Sequence, residues 1–259
     1  MSAGTTASGG ISMQHEPVTR ILPCGDTALT IDFGERIDRN LSALVLALAA
    51  RIDQAAIPGV VEVVATFRSL MVHYDPLAVP HAALKARLAP LLAGLAAAEG
   101  AGRRWRIPVC YDAEVAPDLA EVAECTGLSP AQVVERHSAV TYHVYMLGFL
   151  PGFPYLGDLP QELALPRREN PRTSVPKGSI AIATSLSAIY AFESPGGWHV
   201  IGRTPAALWD LARERPALLA PGDKVVFAPI SMREHERMLA QAASGAFQLV
   251  PEPRVSGAA

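Results

Sequence analysis

Residues 148–204 constrain this chain most, because they are crowded with glycine, proline and arginine, which disfavour long regular elements over most of the stretch. The flanking residues support that reading. Residues 141–147, 180–183, 188–192, 198–201 and 224–228 are short apolar or β-branched runs bounded by turn residues, the pattern of a β-barrel. Two helices are expected to interrupt it. One starts at Thr204-Pro205 and runs through Leu211, and the other spans 232–242 behind a capping box of Ser231 and Glu234.

The first part of the chain has a different period. Residues 28–33 alternate as a half-buried strand, Leu41, Leu44, Val45, Leu48, Ile52 and Ala55 keep helical spacing, and 60–67 and 70–74 are β-branched runs. An alanine- and leucine-rich helix over 81–98 completes the order βαββα. Glu99-Gly100-Ala101-Gly102 is the clearest break and the expected domain boundary. The strand at 105–109 either completes a ferredoxin-like βαββαβ sandwich or opens the second domain. Two short helices follow, the second with Ser129 as cap, Pro130 at its first position and Gln132 closing a capping box.

Composition excludes several classes. Of 259 residues half are hydrophobic and 18% charged, so the bulk of the chain folds. A net charge of −3 offers no footprint for nucleic acid. Cys24, Cys110 and Cys125 lack disulfide or zinc spacing, which fits a reducing cytoplasm. The apolar run 41–50 is too short to cross a membrane, and residues 1–17 read as a disordered tail and not as a signal peptide. No GxxxxGKS/T, HExxH, GxSxG or strand-borne GxGxxG is present, so the familiar catalytic signatures are absent.

Three segments carry candidate chemistry for a small anionic substrate. The first, GFLPGFPYLG at 148–157, reads as a stiff loop whose Phe149, Pro151, Phe153 and Tyr155 line a pocket together with Trp198, or else form a structural corner. The second concentrates Arg167, Arg168, Arg172 and Lys177 between prolines, a set that grips an anion or pairs with Glu162 and Glu193. The third is the Ser194-Pro195-Gly196-Gly197-Trp198 turn, where Gly196 and Gly197 admit a ligand or another backbone closely. Arg203 and Thr204 follow, a cation beside an expected helix N-terminus. His143 and His199 are the candidate catalytic bases, and neither has a metal partner in sight.

Gly25-Asp26-Thr27-Ala28-Leu29, Arg106-Ile107-Pro108-Val109-Cys110-Tyr111, GFLPGFPYLG and SPGGWHVIGRTP, taken in order, resemble the family that contains the B subunit of bacterial 5-oxoprolinase, the kinase inhibitor KipI and the first subunit of allophanate hydrolase. The resemblance implies an α+β protein: a small α/β N-terminal domain at 18–100, then a cyclophilin-like β-barrel at 101–250. For the 5-oxoprolinase branch it implies ATP-dependent opening of the pyroglutamate lactam, with ATP and Mg2+ as cofactors and subunits C and A as companions. Arg167, Arg168, Arg172 and Arg203 would then hold developing negative charge. The KipI branch implies instead a regulator of a sensor histidine kinase, and the third branch an amide-handling subunit of the urea carboxylase type. This sequence departs from the family pattern at Ala183-Thr184-Ser185-Leu186-Ser187 and Ile189-Tyr190-Ala191, where a Gly-x-Gln element and an Ile-Tyr-Pro strand are expected. Lys177 stands where a small residue is usual.

Overall fold

The computed structural model describes residues 19–97 and 102–253. The expected tail over 1–17, the break at Glu99-Gly100-Ala101 and the last residues from 254 lie outside the described residues.

The chain opens with β1 (Arg20–Pro23), β2 (Ala28–Asp32), α1 (Arg39–Ala55), β3 (Val60–Ala65), β4 (Ser69–Tyr74) and α2 (His81–Leu92). The strands form an antiparallel sheet in the order β1-β2-β4-β3. Strand alternation sends Leu29, Ile31, Leu70 and Val72 to one face. There they meet Val45, Leu48 and Ile52 of α1 and Leu84 and Leu88 of α2. Asp38 starts α1 by accepting the Leu41 amide at 2.9 Å. Helix α2 stops at Leu92 and not at 98: Pro90 has no N–H to give the preceding turn, and the backbone at Ala93 is extended.

The strand left open between two assignments joins the second unit. It is β5 (Arg104–Cys110), followed by α3 (Leu119–Thr126), α4 (Pro130–Ser138), β6 (Tyr142–Leu147), β7 (Pro154–Gly157) and a 3-10 turn at Gln161–Leu163. Then come β8 (Arg172–Val175), β9 (Ser179–Ala183), β10 (Leu186–Ile189), β11 (Ser194–Gly196), β12 (His199–Arg203), β13 (Lys224–Ile230) and α5 (Met232–Ala243). Seven strands close a barrel in the order β10-β7-β6-β13-β5-β12-β9, and β8 pairs with β11 in a separate ribbon.

Both faces of the barrel wall around β9 are covered. Ile180, Ile182, Ile189 and Ile201 point into the main core with Ile107, Val144, Leu156 and Phe227. Ala181, Ala183, Ala188, Tyr190 and Val200 point outward, into a second cluster with Phe153, Val175 and Trp198. Helix α4 plugs the barrel with His137, which is wholly buried. Its ring stacks on Phe227 at 4.7 Å, Nδ1 meets the Tyr111 hydroxyl at 2.8 Å and Nε2 the Ser187 hydroxyl at 3.1 Å. Burial pushes its pKa down to about 3, so the ring is neutral and accepts one of these bonds while donating the other.

One expected helix is absent. Residues 204–211 do not coil, because Leu208 and Asp210 are drawn into pairing with the returning chain. The Leu218 amide donates to the Leu208 carbonyl at 2.8 Å and the Asp210 amide to that of Pro216 at 3.0 Å. The Asp210 carboxylate then accepts the Ala212 amide in a tight turn, and Leu211 is left 80% exposed.

The sheet and barrel units touch along α1 and the β3–β4 turn. Arg39 bridges to Asp158 at 2.8 Å and donates to the Thr141 carbonyl, Ser42 Oγ meets His143 Nε2 at 2.9 Å, and Phe67 packs on Tyr145. Among the described residues no helix is long and apolar enough to cross a membrane.

Candidate functional site

Three separated segments meet on the outer face of β9, β10 and β12. The first leaves β6 at Gly148. The Leu150 amide donates back to the Gly148 carbonyl at 2.8 Å, which closes a three-residue turn about Phe149 and forces it to φ +66°. A phenylalanine in that left-handed region costs roughly 1–2 kcal/mol, and strain of this kind collects at binding surfaces. Phe149 is also 60% exposed. The segment is not loop throughout, because Pro154–Gly157 is a barrel strand whose proline takes the first position, where a missing N–H is tolerated.

Phe153 is the hub of an aromatic cluster. Its ring lies edge-on to Phe149 at 5.3 Å, Tyr155 at 5.2 Å, Tyr190 at 5.2 Å and Trp198 at 6.4 Å, and Tyr155 reaches Trp198 at 6.1 Å. Phe149, Phe153, Tyr155 and Trp198 therefore converge, while Pro151 sits exposed on the loop. No local pattern singles out Tyr190 or Phe67, yet both belong: Phe67, from the sheet unit, lies 5.7 Å from Tyr155. The Tyr155 and Tyr190 hydroxyls make no hydrogen bond among the described residues, and burial raises both phenol pKa values, so each is a neutral donor. Leu186, at the departure from the family pattern, packs against this cluster, and Thr184 turns the chain there at φ +53°.

The arginine segment departs from expectation. Arg168 and Arg172 pair with neither Glu162 nor Glu193. Glu162 binds Arg136, and Glu193 accepts from Ser174. Both arginines turn inward to Asp118, a carboxylate just before α3 that is 2% exposed. Arg172 forks onto it at 2.6 and 2.8 Å, Arg168 reaches it at 3.0 Å, and the Val200 amide donates to it at 2.6 Å. Arg168 also binds Glu121 at 2.6 Å. Arg167 differs: it is exposed, its guanidinium carbon lies 5.9 Å from the centre of the Trp198 ring, and it makes no hydrogen bond or ion pair among the described residues.

The glycine turn folds onto both segments. Gly197 accepts the Arg168 amide at 2.8 Å, and Gly196 pairs with Arg172 across the β8–β11 ribbon. A Cβ on Gly196 would fall 2.1 Å from the Tyr190 hydroxyl oxygen, so only glycine fits there.

The remaining candidates lie elsewhere. Arg203 donates to the Lys177 carbonyl at 2.9 Å, and the Thr204 amide to that of Gly178 at 2.9 Å. Thr204 caps no helix, since residues 204–211 do not coil and among the described residues its hydroxyl accepts only the Ala206 amide, so the expected helix-end anion site does not form. The Lys177 side chain is exposed. His199 is buried, with Nε2 against the Pro166 carbonyl at 3.0 Å and Nδ1 without a partner. His143 is half-buried at the junction of the two units, edge-on to Tyr145 at 4.6 Å, and burial lowers its pKa. Among the described residues no three His, Cys, Asp or Glu gather as metal ligands.

This chain belongs to the carboxyltransferase domain, subdomain C and D family, whose model matches residues 19–219. It is 41% identical over 222 residues to the B subunit of the Bacillus subtilis 5-oxoprolinase, covering 82% of this chain and 92% of that protein. It is 45% identical over 168 residues to the B subunit of the Haemophilus influenzae 5-oxoprolinase, covering 65% of this chain and 78% of the other. Among solved structures TTHA0988 superposes with a TM-score of 0.71 at 38% identity, over 79% of this chain and 40% of that one. The chain thus spans less than half the length of TTHA0988. The Kluyveromyces lactis urea amidolyase shares the fold, with a TM-score of 0.75 at 20% identity over 92% of this chain and 16% of the other.

Proposed function

We propose that this chain is a subunit of an ATP-dependent 5-oxoprolinase, opening the lactam of 5-oxoproline together with companion subunits C and A in the cytoplasm. The observation that carries this reading is the likeness to the B subunit of 5-oxoprolinase along most of both chains. The outer barrel face supports it, because an aromatic wall beside one unpaired arginine suits a small ring bearing one negative charge. In the same reading residues 18–100 form a ferredoxin-like domain and 101–250 a cyclophilin-like barrel, with the aromatic cluster outside that barrel.

Among the described residues the cations of this segment suit one carboxylate better than a nucleoside triphosphate. Arg168 and Arg172 are neutralised on Asp118, and Arg203 keeps its charge but gives its Nε–H to the Lys177 carbonyl, so two of the five cations in 167–203 are withdrawn from any phosphate. The nucleotide therefore falls to a companion subunit, and the part of this chain is to hold and orient the lactam. The test is co-expression with the companion subunits, followed by assay of phosphate and glutamate release. The purified chain alone should be inert, and the assembly should release both products only when 5-oxoproline and ATP are present. An assembly that forms but leaves 5-oxoproline intact would sink the proposal.

A further inference from the structure

We infer that Arg167 reads the carboxylate of the substrate, with the Tyr155 and Tyr190 hydroxyls as neighbouring donors and the Trp198 ring as the wall against which the substrate ring rests. The identity of the ligand rests on the 5-oxoprolinase reading; the role of Arg167 does not.

The other cations gathered in 167–203 are committed or stand apart. Arg168 and Arg172 share the buried Asp118 carboxylate, and Arg203 is bound to the Lys177 carbonyl. A guanidinium already forked onto a carboxylate has few N–H groups left to offer a second anion. The Lys177 side chain is exposed and has no aromatic partner among the described residues. Arg167 alone in that set combines a free guanidinium with an aromatic partner. Cation–π contact with Trp198 takes up a face of the guanidinium and leaves its N–H edge open, which is the edge a carboxylate uses.

Arg167 is also held ready. The backbone is tied down on both sides of it: the Pro166 carbonyl accepts from His199 Nε2 at 3.0 Å, and the Arg168 amide donates to Gly197 at 2.8 Å. Only the side chain of Arg167 is left to order when the ligand binds, which lowers the entropic cost. His199, a candidate base from the sequence, acts here as a positioning residue. A carbonyl only accepts, so Nε2 carries a proton, and Nδ1 has no partner among the described residues.

Two donors beside it are unmet. Tyr190 is 2% exposed, and its hydroxyl, pressed under Gly196, bonds nothing among the described residues. Tyr155 is likewise unbonded; its ring lies 6.1 Å from that of Trp198, over which Arg167 sits, and Tyr190 and Trp198 both pack edge-on against Phe153. One cation and two neutral donors match one carboxylate, where a diphosphate would demand more charge.

The test titrates the full-length chain with 5-oxoproline, 2-pyrrolidinone and proline, following the Trp198 indole N–H by NMR, and repeats each titration with the companion subunits present and ATP omitted. 5-Oxoproline should shift the indole resonance, 2-pyrrolidinone, which lacks the carboxylate, should not, and Arg167→Gln should weaken binding about 10- to 100-fold, the worth of a charge-assisted hydrogen bond. Arg167→Lys should recover part of that loss and Tyr190→Phe should cost less, while Lys85→Gln on α2 serves as the control. Unchanged melting temperatures would separate a binding defect from a folding defect. Wild-type binding by Arg167→Gln, equal binding of 2-pyrrolidinone, or no carboxylate binding in either preparation would overturn the assignment. Arg167-dependent binding of proline but not of 5-oxoproline would uphold Arg167 and overturn the 5-oxoprolinase reading instead.

Discussion

Replacing Asp118 with alanine should unlock the arginine segment from the barrel. Its carboxylate accepts four N–H groups: two from Arg172, one from Arg168 and the Val200 amide in β12. Removing one partner of a buried ion pair costs about 3–5 kcal/mol, because the other charge stays behind uncompensated. The arginine side chains retain 23% and 29% exposure, and Arg168 keeps Glu121, so the lower end, about 3 kcal/mol, is expected. For a chain of this size that corresponds to a fall in Tm of roughly 6–12 °C. Asp118→Asn preserves volume and one acceptor and should lose about half as much. Urea and thermal unfolding of Asp118→Ala, Arg172→Ala and the double variant provide the assay. If the two residues act as one unit, the double variant should be little worse than Asp118→Ala alone. A loss under about 1 kcal/mol for Asp118→Ala, or strict additivity, would refute the hub.

Three further outcomes follow from single contacts. His137 stays neutral in the folded barrel down to about pH 3, whereas the unfolded chain takes up its proton below about 6.5. Its share of stability is therefore complete above pH 6.5 and drains by up to about 1.4 kcal/mol per unit as pH falls toward 3; urea midpoints of His137→Gln should depend less on pH, and identical slopes would contradict this. Gly196→Ala should destabilise by about 1–3 kcal/mol and disturb the Trp198 resonance, since its methyl would overlap the Tyr190 hydroxyl, whereas Gly197→Ala, with its nearest neighbour at 3.5 Å, should not; equal melting temperatures would argue otherwise. Thr184→Gly should gain up to about 1 kcal/mol in urea unfolding by relieving the left-handed φ of a β-branched residue, and a loss would show that this turn is unstrained.

Long periodic elements were legible in the sequence because local chemistry alone determines them. Helix α1 shows its apolar stripe, and α4 and α5 announce themselves by Ser129 with Gln132 and Ser231 with Glu234, capping boxes that the fold contains. Elements that depend on a distant partner were not. Strands β1, β8 and β11 are three or four residues long, and they exist only because another strand pairs with them. The failed helix at 204–211 shows the reverse: a good start signal is overridden by pairing with Pro216 and Leu218.

The site was legible in its segments but not in its wiring. The aromatic loop, the arginines and the glycine turn do converge, yet nothing near Asp118 in the sequence marks it as the carboxylate that takes Arg168 and Arg172 from 50 and 54 residues away. That wiring turns two presumed ligand holders into struts. It also isolates Arg167.

Steady-state kinetics of the reconstituted assembly test most directly whether the outer barrel face holds the substrate of a multi-subunit 5-oxoprolinase. Wild-type assembly should couple ATP hydrolysis to 5-oxoproline, and Arg167→Gln should raise KM for 5-oxoproline at least about 10-fold with kcat less affected, the mark of a lost binding contact. An unchanged KM, or an assembly that hydrolyses ATP without regard to 5-oxoproline, would contradict it.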